Sequence, residues 1–280
     1  MQPSRARQER QSRHEQALAM ERVIMSVRRL WFGAELQPRG CATAVMEHGS
    51  ELLMCVDGEG EQVEELLACG ARLGSFVVST SLSHPSDLPL RLRQAGFTTV
   101  QRQAAYTLDI AAYQAMRRKG AEPTRSRGLF GFLLRPARVE PEVHLIGEND
   151  LPSWNGVCWR AFGSKGTEAA SLREKVQAFR AMGTAAWWYL ATIGGRPAGT
   201  AILYQEGDVA QVLAVGTHPS FQSRGVASAI MHRVIRDWQG RGGFLFLDTA
   251  PGSVAERLYV KLGFRQAYLR EIWAPVRQDP

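Results

Sequence analysis

Cysteine is scarce and scattered in this chain. Cys41, Cys55, Cys69 and Cys158 are the only four, no two form a C-x-x-C pair, and no histidine cluster stands beside them at metal-ligand spacing. A disulfide framework and a structural zinc site are therefore not expected, and the thiols read as reduced and buried. No apolar h-region follows the N-terminus and no run approaches the length needed to span a bilayer, so neither a secretory signal nor a membrane helix is expected. A cytoplasmic location with no membrane partner is the simplest expectation. Acidic residues are also in deficit, 27 against 34 basic ones, giving a formal charge of +7 and a pI near 9.6. That balance favours anionic partners: nucleic acid, an anionic surface or a phosphorylated cofactor. Charge alone does not choose among them.

With 280 residues, 45% of them hydrophobic and 22% charged, the chain can form two modest globular domains. Residues 1–16 carry almost no large apolar side chain and read as a mobile basic arm. From Ala17, Leu18, Val23, Ile24, Val27, Leu30 and Trp31 recur at three- and four-residue steps and predict an amphipathic helix to about Gly33. Short strands (42–46, 52–56, 76–79, 106–110) and helices (62–69, 88–94) fill the rest of a first domain, 17–112. Residues 113–141, rich in Arg, Gly and Pro, read as a basic linker. The second domain, 142–276, reads strand, helix, three-stranded meander, helix, strand, helix, strand. That order gives an α/β class with a mixed sheet.

The halves echo each other. Leu92 to Phe97 (L-R-Q-A-G-F) matches Tyr259 to Phe264 (Y-V-K-L-G-F), and an aromatic residue follows nine places after each Phe, at Tyr106 and Trp273. Both halves are expected to share one ancestral unit.

The segment His218 to Ala227 (H-P-S-F-Q-S-R-G-V-A) lies between a predicted strand and a predicted long helix, Val226 to Gln239. The first turn of a helix has unpaired amide donors and partial positive charge, so an anion there gains hydrogen bonds and dipole stabilisation together. Gly225 and Ala227 keep side chains out of the way, and Arg224 adds a cation that can reach a phosphate or an adenosine 3′-phosphate.

This block resembles the signature of the GNAT superfamily of N-acetyltransferases: a hydrophobic-x-Pro followed by R/Q-x-x-G-x-G/A opening a helix. Thr217-His218-Pro219 stands at the first element, with Thr in place of the usual aliphatic residue, and Gln222 to Ala227 fills the second. A second block, A-x-x-L-Y-x-K-x-G-F, is filled by Ala255, Leu258, Tyr259, Lys261, Gly263 and Phe264. The whole chain is similar to a tandem GNAT protein, two GNAT-like acyl-CoA N-acyltransferase domains with a degenerate first copy.

The resemblance implies acetyl-CoA as co-substrate and no metal. It places Gln222, Ser223, Arg224, Gly225, Val226 and Ala227 around the diphosphate, and Val215 and Thr217 as backbone partners of the pantetheine arm. Tyr259 would be the general acid for the departing thiolate, a phenol being protonated at neutral pH. Ser253 stands where many relatives have Asn, and either offers a hydroxyl to the cofactor or caps the last helix. A general base stays open among Glu206, Asp208, His218 and ordered water. In the first half Asp57, Glu59 and Glu61 stand where phosphates would sit and would repel them.

The acceptor is expected to be a primary amine of a small molecule or a protein, with Trp154, Trp159, Trp187 and Trp188 as candidate lining. A non-catalytic acyl-CoA sensor is the alternative function. Nucleic acid binding ranks last because few aromatics interleave the arginines. A homodimer is compatible with the sequence.

Overall fold

The computed structural model describes residues 5–32, 35–39, 42–47, 51–56, 61–82, 86–108, 140–163, 185–241 and 243–276, with a few single positions within 110–118 and 174–177. Compactness divides the chain into two units, and not by one cut at a linker. The first comprises Met1–Thr107, Phe246–Arg257 and Arg265–Pro280; the second comprises Leu108–Leu245 and Leu258–Phe264. Most of the expected linker, 119–139, lies outside the described residues.

The first unit opens with helix α1, Arg5–Phe32. It begins well before Ala17, where the apolar period begins. Arg, Gln, Glu and Ala are good helix formers, so the polar stretch continues the helix that Ala17, Met20, Val23, Ile24 and Val27 anchor in the core. Gln11 bonds Glu15 one turn on at 3.2 Å, and His14 Nδ1 donates to the Leu82 carbonyl at 2.9 Å. The expected mobile arm is thus helical over its described part.

Strands β1 (Glu35–Arg39), β2 (Ala42–Glu47) and β3 (Glu51–Val56) form an antiparallel meander, of which β1 was not anticipated. Helix α2, Glu61–Leu73, crosses over to β4, Phe76–Thr80, which pairs parallel with β3. Gly70 does not stop α2. The end comes at Gly74, φ 69°, with Ser75 N–H donating back to the Gly70 carbonyl at 2.8 Å. Helix α3 (Leu88–Gln94) and strand β5 (Phe97–Leu108) follow.

The rest of this unit's sheet comes from the end of the chain. Strand β10, Phe244–Thr249, pairs antiparallel with β5, Tyr106 facing Leu247. Strand β11, Phe264–Pro275, pairs antiparallel with β4, Trp273 facing Val77. The strand order is β1-β2-β3-β4-β11-β5-β10. Each half's last strand therefore pairs with the other half's preceding strand. The two echoed segments are the ones exchanged, and Leu92, Phe97 and Trp273 share one core cluster with Val63, Leu67, Val77 and Leu88.

The second unit contains β6 (Glu142–Leu145), α4 (Leu151–Phe162), β7 (Ala185–Ile193), β8 (Arg196–Glu206), β9 (Val209–Thr217) and α5 (Val226–Trp238). Its strands form an antiparallel meander in the order β9-β8-β7-β6. Helix α5 buries Ile230, Met231, Val234, Ile235 and Trp238 on one face. It is tied to β6 by Arg233, which donates to the Val143 carbonyl at 2.9 Å and pairs with Asp237. Tyr189 of β7 donates to the same Asp237 at 3.1 Å.

Where α5 crosses β8, a Cβ on Gly199 would meet Val226 Cγ1 at 2.4 Å and Ile230 Cδ1 at 2.9 Å. Only glycine lets the helix mouth come so near the strand. Helix α6 spans Val254–Lys261.

Candidate active site

Strand β9 is regular up to Leu213 and again from Gly216. Thr200 faces Gly216 and Ile202 faces Leu213, so Ala214 and Val215 together oppose Ala201. This is a β-bulge, and Ala214 holds a positive φ of 52° within it. The Thr200 hydroxyl donates to the Ala214 carbonyl at 3.0 Å and steadies the bulge. Val215 is thus outside the regular ladder with β8. Thr217 is instead a paired rung, facing Gly199.

Beyond β9, Pro219–Phe221 makes one 3-10 turn, with Phe221 N–H donating to the His218 carbonyl at 2.8 Å and Gln222 N–H to the Pro219 carbonyl at 3.3 Å. Backbone φ is then positive at Ser223, 59°, and at Gly225, 84°, immediately before α5. Two left-handed residues so close together turn the chain into a concave row of amides. Helical bonding resumes with Ala229 N–H donating to the Gly225 carbonyl at 2.9 Å. Among the described residues, the N–H groups of Arg224, Gly225, Val226, Ala227 and Ser228 have no acceptor.

Gln222, Ser223, Arg224 and Gly225 are exposed, and no side chain caps α5. A Cβ built on Gly225 would meet nothing within 4 Å among the described residues. Unsatisfied donors at a helix mouth and a helix dipole pointing the right way fit a ligand with several anionic oxygens. The diphosphate of a coenzyme A thioester is such a ligand.

The candidate acid and base residues fare differently. The Tyr259 ring is buried, 5.9 Å from that of Phe264, as the helical spacing of its apolar face requires. Ser253, in the first unit, accepts from Glu256 N–H at 3.1 Å and shares a hydrogen bond with the Thr249 hydroxyl at 3.2 Å. Its hydroxyl is a helix cap. Glu256 also accepts from Gly252 N–H, one residue before the cap, and from the Tyr106 hydroxyl. The Tyr106 bond and the Gly252 amide hold its carboxyl below the usual range, while burial and Glu256 push the Tyr106 phenol up to about 12.

Glu206 and Asp208 sit at the β8–β9 turn, the far end of β9 from the amide row. At roughly 3.3 Å per residue, the nine residues of β9 put about 27 Å between that turn and the amide row. His218 Nδ1 accepts from Ser220 N–H at 3.2 Å and its ring meets Phe221 edge-on, so it serves the turn.

Two of the four tryptophans proposed as acceptor lining are core. Trp154 donates to the Tyr189 carbonyl at 3.0 Å and packs edge-on against Trp188, both being buried. Trp187 lies under the Arg241 guanidinium, 4.1 Å away. Trp159 keeps a buried indole N–H with no acceptor among the described residues. Asp57 and Glu59 lie outside the described residues, as does the side chain of Glu61. Among the described residues there is no group of His, Cys, Asp and Glu able to hold a metal ion, and no helix is long and apolar enough to cross a membrane.

Two participants escaped the sequence reading. Helix α4 lies on the bulge, where a Cβ on Gly216 would meet Ala161 Cβ at 2.7 Å, and its Cys158 hydrogen-bonds Thr200. Burial pushes the Cys158 thiol up to about 11 against a smaller lowering by that bond. At pH 8 its thiolate fraction should be about a hundredfold below that of an ordinary thiol. Peptide mapping after iodoacetamide treatment should show correspondingly slow labelling of Cys158 that accelerates up to about pH 11; labelling as fast as a model peptide thiol would contradict the burial. The other participant is Arg196, at the start of β8, stacked on Phe221 beside the cradle. No spacing signal announces either, because only strand pairing brings them there.

A bulged strand, a turn whose amides have no acceptor among the described residues and a helix packed tightly on that strand characterise this mixed α/β unit. Residues 151–264 match the acetyltransferase (GNAT) family, and the C-terminal half carries a GNAT domain. Solved structures agree in fold over most of the chain. A GCN5-related N-acetyltransferase from Kribbella flavida is 14% identical with a TM-score of 0.58, covering 91% of this chain and 95% of that one. Another from Sphaerobacter thermophilus is 18% identical with a TM-score of 0.56, covering 84% and 76%. A tandem GNAT protein from the clavulanic acid biosynthesis pathway is 13% identical with a TM-score of 0.56, covering 85% and 79%. No curated protein matches the chain.

Proposed function

We propose that this chain is an acetyl-CoA-dependent N-acetyltransferase that acetylates a primary amine of a small molecule or a protein. The observation that carries the reading is the row of amides from Arg224 to Ser228, at the mouth of α5, without acceptors among the described residues. Gln222 to Ala227 would hold the diphosphate, and the backbone at the Val215 bulge would take the pantetheine arm. Bound there, the co-substrate supplies an acyl group activated as a thioester. The chain orients it against the amine, and Tyr259 donates a hydrogen bond to the leaving sulfur. The first half keeps the repeat's strands and serves as a degenerate, structural copy.

Calorimetric titration with acetyl-CoA, coupled to thiol release over a panel of amines, tests this. Saturable binding with release for at least one amine is expected. Binding without release for any amine would favour the sensor. Tyr259→Phe should lower kcat by about a hundredfold while acetyl-CoA affinity stays unchanged. Unchanged kcat in that variant would remove the tyrosine from the chemistry.

A further inference from the structure

Arg196 and Arg224 belong to different elements, the start of β8 and the cradle turn. Yet both guanidinium carbons stand over one ring, that of Phe221, at 5.3 and 5.5 Å from its centroid. Phe221 is buried, and the edge-on His218 ring 5.8 Å away holds it from another side. Stacking on an aromatic face limits a guanidinium's freedom without occupying its N–H groups. Neither arginine is in an ion pair among the described residues, although both are exposed. Two positive charges, unneutralised among the described residues, are thereby held beside the row of amides.

The two kinds of donor suit different phosphates. Neutral amides match the phosphates of a diphosphate diester, each carrying a single charge. A pair of guanidiniums matches a phosphate monoester, which carries close to two negative charges at neutral pH. A coenzyme A thioester has both, the monoester being the 3′-phosphate of its ribose. We propose that Arg196, together with Arg224, recognises that 3′-phosphate and makes the site discriminate against 3′-dephospho-CoA. This rests on the cradle reading given above and assigns a specificity-determining role to Arg196, outside the signature block.

The test is calorimetric titration of the full chain with CoA and with 3′-dephospho-CoA, for wild type, Arg196→Ala and Arg224→Ala. Both side chains are exposed, so thermal unfolding should be unchanged and can be checked first. Wild type should bind CoA about tenfold or more tightly than 3′-dephospho-CoA, as loss of a charge-assisted contact implies. Arg196→Ala should shrink that preference by about tenfold, leave 3′-dephospho-CoA affinity unchanged, and leave a weaker salt dependence. Equal affinities in the wild type would overturn the assignment and leave the cradle standing. A preference that survives Arg196→Ala would overturn it as well. If wild type binds neither nucleotide, the cradle itself fails, and the assignment with it.

Discussion

Gly225→Val should weaken acetyl-CoA binding by about a hundredfold or more while shifting the unfolding temperature only a few degrees. Gly225 sits at φ 84° directly before α5. A β-branched residue costs roughly 1–2 kcal/mol in that left-handed region, and the turn relieves the strain by rotating the peptides that aim the amides. Hydrogen bonds to charged groups contribute roughly 1.5–3 kcal/mol each, so misdirecting two of them removes a factor of about a hundred to ten thousand in affinity. Loss of stability stays near the backbone cost, because a Cβ at 225 would touch nothing within 4 Å.

Gly207→Val supplies the control. Gly207 also has positive φ, 58°, and open space around it, but it lies in the β8–β9 turn at the other end of β9. It should lose similar stability and keep wild-type affinity. Calorimetry on the two variants separates strain from site: if both bind acetyl-CoA as wild type does, the turn before α5 is not where the diphosphate rests.

The turn before α5 was legible because its geometry is local. A proline-led turn, a glycine at the αL position and a long amphipathic helix are consecutive in sequence, and each acts through its own backbone. The repeat was legible in the same way, since L-R-Q-A-G-F and Y-V-K-L-G-F are short helix ends whose spacing survives in one chain. The exchange of β5 and β11 was not legible, because strand pairing partners are chosen by tertiary packing and leave no periodic mark on either strand. Trp154 and Trp188 show the same limit from the other side. Aromatic content suggests a pocket, but edge-on packing and a bond to the Tyr189 carbonyl place them in the core. Glu206 and Asp208 lie at the β8–β9 turn, the end of β9 away from the turn before α5, as their place in the sequence implied. Helix α1 outran its hydrophobic period because propensity extends a helix that packing has already nucleated.

Arg270→Ala should cost about 3–5 kcal/mol, the largest loss of stability expected from any single polar side chain described. Arg270 of β11 is entirely buried; its Nε bonds Glu21 Oε2 of α1 at 3.0 Å, and its Nη1 bonds Gln103 of β5 at 2.9 Å. Tyr268 donates to the other Glu21 oxygen at 2.7 Å. Burial alone would lower the arginine's pKa, but Glu21 and Asp248 outweigh it and raise it, so the guanidinium stays charged. Removing it strands the Glu21 carboxylate, whose side chain is 4% exposed, in the core without its counter-charge. The unfolding temperature should fall by roughly 10 °C for a chain of this size. Replacing both partners, as Glu21→Leu with Arg270→Met, should recover most of that loss, because no unpaired charge remains buried. The single variant isolates an orphaned charge and the double variant isolates packing, so a double loss equal to the sum of the singles would show that the pair is not coupled. Because Arg270 joins α1 and β5, from the first half of the chain, to β11, from the second, the double variant also asks what the ion pair is for. Retained stability with a broadened unfolding transition would mean that the pair fixes which strand β11 lies beside, and a sharp transition would mean that apolar packing along β4 and β5 suffices.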